Sequence, residues 1–350
     1  MITHSSCPPP LRVKWVDSVK GITILLTIIG HTVSYNIYGS NLRGLIFSFH
    51  MPLFFILSCY TYKPSASVEQ FKKKVKHAFQ HLIGPAIFVY GLNTLIIYVR
   101  TRPDILNLHY WKNLVYTFLF ASGAPLTFNG FDVALMGIPW FFFALFIGRS
   151  VFDYLHLAFP AVQLPAIVML IGFSGIFFGK SQWLPFSMDI ALAAMPFFYF
   201  GFYIKKSNLQ EKAFPKFLVW GLIWLVTLFL AFPHYEEWTY LELAVRRYNL
   251  FPISYLTAIA GTMCLSEFCI ILEQHCDILL KPFTYLGRNS LYVLCVHILD
   301  GQWSNLWNVS GHQFHSSLRR VIIDCILSVL VISIITGYKR TKKPLEPLHS

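Results

Sequence analysis

Ten stretches of this chain stay apolar over the length of a bilayer crossing, and they leave little room for any other architecture. A hydrocarbon layer about 30 Å thick takes about 20 residues of helix to cross. Runs of that kind lie near residues 16–36, 44–62, 82–99, 139–157, 164–179, 188–204, 217–233, 251–272, 286–308 and 320–338. Lipid offers backbone N–H and C=O groups no partner, so such runs fold as helices. The expected fold is an all-α integral membrane protein of about ten transmembrane helices, multi-pass in the cell membrane. Composition agrees: only 13% of the 350 residues are charged, about half the usual share of a soluble protein, too few to coat two water-facing domains. The net charge of +12 arises as much from the scarcity of acids (16) as from the 28 bases, so basic loops beside a lipid bilayer explain it and no nucleic-acid partner is expected.

Lys and Arg placement sets the orientation. Counting alternate loops from an inside N-terminus puts 17 basic residues on the cytoplasmic side and 9 on the other, so both termini are expected in the cytoplasm. The expected division is a cytoplasmic segment 1–15, a membrane domain 16–338 and a cytoplasmic tail 339–350. The first apolar run has the length of a span and no small-residue cleavage pattern after it, so it reads as a signal anchor. Within the polar interval 100–138, Trp111 to Ser122 suits a short interfacial or re-entrant helix. The seven cysteines form no C-x-x-C pair and read as small core residues, no metal is expected, and the catalytic motifs of soluble enzymes are absent.

Polar residues inside the spans carry the functional reading. Along the first span, Lys20 and His31 are eleven positions apart, about 20° around a helix, and Asp17 lies within about 60° of Lys20. The three make a polar seam that cannot face lipid. Lys20 and His31 are separated by about 16 Å along the axis, too far for one to act on the other. The second span returns with His50 in Phe49-His50-Met51-Pro52, at a depth that matches His31, and Pro52 is expected to loosen the backbone there. Each imidazole is either a base with its orienting partner or a structural residue bonded to a carbonyl.

These residues resemble the membrane acyltransferase type 3 family, in a branch similar to fucose 4-O-acetylases. The resemblance rests on Asp17-x-x-Lys20-Gly21-Ile22, Gly30-His31 and Phe49-His50-Met51-Pro52-Leu53-Phe54-Phe55-Ile56-Leu57-Ser58. It is supported by Trp140-Phe141-Phe142-Phe143-Ala144-Leu145-Phe146 and by Gly287-Arg288-Asn289-Ser290-Leu291, which ends at His297. It implies transfer of an acetyl or similar group from cytoplasmic acyl-CoA to a hydroxyl of an envelope glycan or its lipid-linked precursor. Lys20 stands where the family often has Arg, and Lys lacks the guanidinium fork for phosphate.

The chemistry of the residues is compatible. A sugar hydroxyl attacking a thioester needs a base, which His31 supplies when neutral, with His50 fixing its tautomer or holding the acceptor. Lys20, Arg288 and Asp17 sit at the donor mouth. Arg288 suits a CoA contact or an interface anchor equally, and His297, nine residues further, approaches the reaction level. The run Lys72-Lys73-Lys74-x-Lys76-His77, with His81, suits CoA phosphates, and positive-inside topology explains it as well. Trp238, Trp303 and Trp307 suit sugar stacking or an aromatic belt; Asp132 and Asp189 suit acceptor hydroxyls or solvated loops. The sequence does not identify the donors to the developing oxyanion, the acceptor or the oligomeric state. The alternative is a membrane transporter of a glycan precursor or small solute, since intramembrane His and Lys residues also mark substrate paths.

Overall fold

The computed structural model describes residues 12–33, 37–104, 106–206, 209, 212–231, 241–307 and 313–341. The first helices are α1 (Lys14–Thr32), α2 (Ile37–Phe47), α3 (His50–Tyr60), α4 (Val68–Ala78), α5 (Gly84–Thr101) and α6 (Leu108–Phe120), of which α4 and α6 lie between the apolar runs. After a two-stranded hairpin, β1 (Leu126–Phe128) and β2 (Phe131–Val133), come α7 (Trp140–Ala158), α8 (Leu164–Ser181), α9 (Met188–Ala193), α10 (Met195–Ile204) and α11 (Ala213–Ala231). The chain closes with α12 (Ile253–His275), α13 (Lys281–Arg288), α14 (Ser290–Asp300) and α15 (Gln313–Thr341). Seven helices among the described residues are long and apolar enough to cross a membrane, and the pair α9 and α10 makes an eighth if read as one bent span. Of the ten expected spans, the first is α1, whose 19 residues include Lys14, Asp17 and Lys20, and the ninth is the shorter α14 of 11 residues. The helix expected in 111–122 is α6.

Prolines explain most of the departures from straight spans. The 51° bend between α9 and α10 falls two residues before Pro196, which lacks an N–H and crowds the carbonyl one turn back. A π-turn over Phe79–Ile83 joins α4 to α5 directly before Pro85, and this wider turn lets the helix continue across a residue that cannot donate. The break expected at Pro52 lies earlier, at Ser48 and Phe49. Pro52 sits in the first turn of α3, where a missing N–H has no intrahelical role.

Glycines set the crossings that hold α1 in the centre. A Cβ on Gly21 would stand 1.8 Å from the Phe283 carbonyl oxygen, and one on Gly287 would stand 1.7 Å from the Asp17 carbonyl oxygen. Helices α1 and α13 therefore touch backbone to backbone, with Ser18 and Thr284 bonded at 2.8 Å beside the contact. The most apolar stretches of Asn41–Tyr60 and Ile253–His275 are mostly buried within the protein (67% and 61%), whereas those of Val68–Thr101, Ala213–Leu230 and Phe314–Tyr338 are each 17% buried and form the lipid-facing rim.

Candidate active site

The seam expected along α1 faces a row of three adjoining chambers. The first, about 470 Å³, is basic: Lys73, Lys74, His77 and His81 from α4 and the π-turn, with Arg149 from α7. Asp153, one turn beyond Arg149 on α7, fixes its entrance, because the buried carboxylate accepts from the Ser65 N–H at 2.9 Å, the Ser65 hydroxyl at 2.7 Å and the Tyr62 hydroxyl. Lys72 and Lys76 do not line this chamber. The second chamber, about 170 Å³, holds Lys20, Arg149, Ser58 and Ser290. It shares Leu82, Leu145 and Arg149 with the first, and Ile24, Phe54, Phe141 and Leu294 with the third.

The third chamber, about 340 Å³, holds both expected histidines, with Arg43 and Glu242. They do not simply face each other: the Phe47 ring packs 5.1 Å from His31 and 4.4 Å from His50, between centroids. Gly30 makes this possible, since a Cβ there would stand 2.5 Å from the Phe47 ring. His50 is buried with its ring against the Ile46 and Phe47 carbonyls, while its Nδ1 lacks a partner at hydrogen-bond geometry. The ring of His297 lies 5.7 Å from that of His31.

Arg43 supplies the cation that the sequence left unassigned. Its guanidinium lies 4.3 Å over Phe47, donates to the Gly30 carbonyl at 3.3 Å and stands 4.0 Å from the Glu242 carboxylate. A positive group at this place can stabilise charge on an oxyanion. Arg43 and Phe47 share a face of α2, one turn apart, but the break at Ser48 and Phe49 hid their relation to His50 from any helical spacing. Arg149 was legible, as a lone Arg inside an apolar run.

The remaining expected residues fall into two groups. Asp17 and Arg288 are brought together, but onto each other: Arg288 Nε donates to Asp17 Oδ2 at 3.2 Å, tying α1 to the end of α13 beside Lys20. Asp189 is no solvated loop residue. It is fully buried and takes a two-pronged bond from Arg246 at 2.8 and 3.2 Å, while Arg246 also reaches the Ser122 hydroxyl at 2.6 Å and covers the Trp183 ring. This pair pins the turn whose residues Leu241 to Val245 roof the third chamber. Asp132 bonds Thr127 across the hairpin. Trp238 and the side chain of Trp307 lie outside the described residues.

Nodulation protein NolL of Mesorhizobium japonicum (strain LMG 29417 / CECT 9101 / MAFF 303099) is 28% identical over 158 residues, which are 41% of this chain and 36% of that protein. The alignment thus spans little more than a third of that relative. The family model described as an acyltransferase domain matches residues 13–337, from the start of α1 to the last turn of α15, and includes every residue of the three chambers. A multi-pass helical protein with that match across nearly its whole length belongs to the type 3 family of membrane acyltransferases.

Proposed function

We propose that the protein transfers an acyl group, acetyl in the first instance, from cytoplasmic acyl-CoA to a hydroxyl of a cell-envelope or exported glycan at the cell membrane. The observation that carries this reading is the row of adjoining chambers, basic at one end and lined by histidines at the other. A donor with a phosphorylated head and a long thioester arm suits such a row. Lys73, Lys74, His77, His81 and Arg149 are placed for the phosphates, and Lys20 with Ser290 for the arm. Asp17 and Arg288, locked together next to Lys20, hold the donor mouth in shape.

In the third chamber His31 takes the proton of the acceptor hydroxyl as its oxygen attacks the thioester carbon. Arg43 faces the negative charge that develops on the carbonyl oxygen, and His50 holds the acceptor or orients His31 through the Phe47 wall. The C–S bond then breaks, and the sulfur leaves as the thiol with the proton from His31. The aromatic and aliphatic walls, Phe54, Trp140, Phe141 and Leu294, give the chamber a largely apolar lining, which strengthens each of these interactions.

The test is transfer of labelled acetyl from acetyl-CoA by purified protein in liposomes, with glycans offered one at a time. An alkali-labile labelled ester on one of them is expected. Absence of transfer to every glycan, with a flux of labelled solute that depends on His31 and His50, would replace this reading with a transporter.

A further inference from the structure

Behind the wall of the third chamber lies a set of buried charges that the reaction as described does not use. His297 on α14 presents its ring to His31, and its Nδ1 is 2.7 Å from Oδ2 of Asp324 on α15. The two side chains are 1% and 0% exposed. One turn along α14, the buried Asp300 pairs with Arg320 of α15. Arg320 therefore answers Asp300, and the group that answers Asp324 is the imidazole. Oδ1 of Asp324 and Oδ1 of Asp300 have no hydrogen-bond partner among the described residues, so this pocket of negative charge is incompletely compensated.

We propose that His297 and Asp324 are the positioning pair of His31, an inference that rests on His31 being the base of the proposed transfer. An ionised carboxylate can only accept, so the Nδ1 of His297 must carry the proton in that bond. Neutral His297 then has its lone pair on Nε2, at the far side of the ring, and His31 is the adjacent group able to give it an N–H. Two imidazoles sharing such a bond have centroids roughly 5 Å apart, a 2.9 Å bond plus the two ring radii. The observed 5.7 Å is about half an ångström longer, so the bond forms when the two rings close by that amount. With one nitrogen of His31 donating to His297, the other offers its lone pair to the chamber, which is the tautomer a base needs.

The step balances without any further reactant. The acceptor hydroxyl loses its proton to His31, its oxygen bonds the thioester carbon, the C–S bond breaks, and the sulfur takes the proton from His31. While His31 is charged, its positive charge is stabilised through His297 by the Asp324 carboxylate, in surroundings where such an interaction is little screened. His297, Asp300 and Asp324 also offer ligand atoms within 4.8 Å of one another, as a cation site would. Arg320 already occupies Asp300, however, and its charge opposes a second cation at the same carboxylate.

The test is a double-mutant cycle on acetyl transfer in liposomes. Asp324→Asn preserves shape and lets the amide impose the wrong tautomer on His297. It is expected to lower kcat on the order of 10²-fold, the worth of a poised base, with KM for donor and acceptor little changed. In a His31→Ala background the same substitution should cost nothing further, because the pair acts only through His31. His297→Gln, which keeps an acceptor towards His31, should retain more activity than His297→Leu, and it covers the case in which Asp324→Asn fails to fold. An equal cost of Asp324→Asn in both backgrounds, or an unchanged kcat, would overturn the inference. So would loss of transfer on chelation with recovery on adding a divalent cation, since the cluster would then be a metal site. If the wild-type protein transfers no acyl group at all, the proposed function has failed. The pair is then read by ¹⁵N NMR of histidine-labelled protein, where Asp324→Asn should change the protonation pattern of His31 as well as that of His297, and a change confined to His297 would count against it.

Discussion

At the scale of single residues, the imidazole at position 31 carries the reading, and its replacement separates chemistry from folding. His31 opens into a chamber rather than into a packed interior, so His31→Ala strands no charge, and only the neutral ring of His297 loses a hydrogen-bond partner. We expect normal membrane insertion with a loss of about 10²-fold or more in transfer, read as initial rate per amount of inserted protein. Wild-type rates would remove His31 from the mechanism. In the proposed reaction Lys20 answers to the donor instead: Lys20→Met keeps the stem and deletes the charge, so half-saturation by acyl-CoA should shift upward, while Lys20→Arg should hold much of the wild-type curve. A donor titration at saturating acceptor decides this, and coincident curves for Met and Lys would make Lys20 an interface anchor. Both residues were legible because a charge or an imidazole inside an apolar run needs a reason to be there. Arg149 and Asp324 satisfied the same criterion, while Arg43 lies just outside the second run. Their roles stayed hidden because they depend on contacts between segments far apart in sequence: Asp324 meets a ring 27 positions away, and no periodicity along one helix reports that.

At the scale of elements, two devices hold the chambers open, and each has its own signature. The backbone contact of α1 with α13 tolerates no side chain at Gly21 or Gly287. Gly287→Val should displace the helix that carries Lys20 and His31, and the expected result is a fall in the thermal midpoint with loss of transfer, where Gly91→Ala, at an exposed position whose added Cβ meets no atom within 4 Å, is silent. A Gly287→Val protein with unaltered melting would show that the crossing is not needed. The glycines in Asp17-x-x-Lys20-Gly21 and Gly287-Arg288 were visible in the sequence, but their reason was not, since only the crossing itself shows which glycines face each other. The second device is the Arg246 to Asp189 clamp on the chamber roof. Removing one partner of a buried pair leaves the other charge stranded, so Arg246→Met should cost about 3–5 kcal/mol of stability. Asp189→Asn combined with Arg246→Met should recover part of it in the same melting assay, which a clamp of no consequence would not do. From the sequence Asp189 looked like a loop acid open to water, because nothing near it in the chain announces an arginine 57 residues later that folds back onto it.

At the scale of the whole molecule, the exposed side chains of the rim explain why ten apolar runs were easy to read while the exact number of crossings was not. Phe88, Leu170, Phe177, Phe229 and Ile334 are all more than 60% exposed, an outer surface no soluble protein presents over such an extent. The central helices break instead at Phe49 before His50, at Asn289 before Ser290 and at Ala194, and there a continuous hydropathy run misreports one long helix. The order of the chambers along α1 ties the chemistry to an orientation. If the basic loops lie in the cytoplasm, the chamber of Lys73 and Lys74 opens to the compartment that holds acyl-CoA, and the roof formed by Leu241 to Val245, with the β1–β2 hairpin beside it, belongs to the opposite face. Single cysteines at Ala66, in the loop before α4, and at Asn129, in the hairpin turn, sit on exposed sites of these two faces. In a background whose native thiols have been replaced, an impermeant thiol reagent applied to intact cells should label position 129, and position 66 should react only after the cells are opened. Labelling of position 66 alone from outside would invert the protein, put the basic chamber out of reach of its donor, and require the phosphate role of Lys73, Lys74 and Arg149 to be withdrawn.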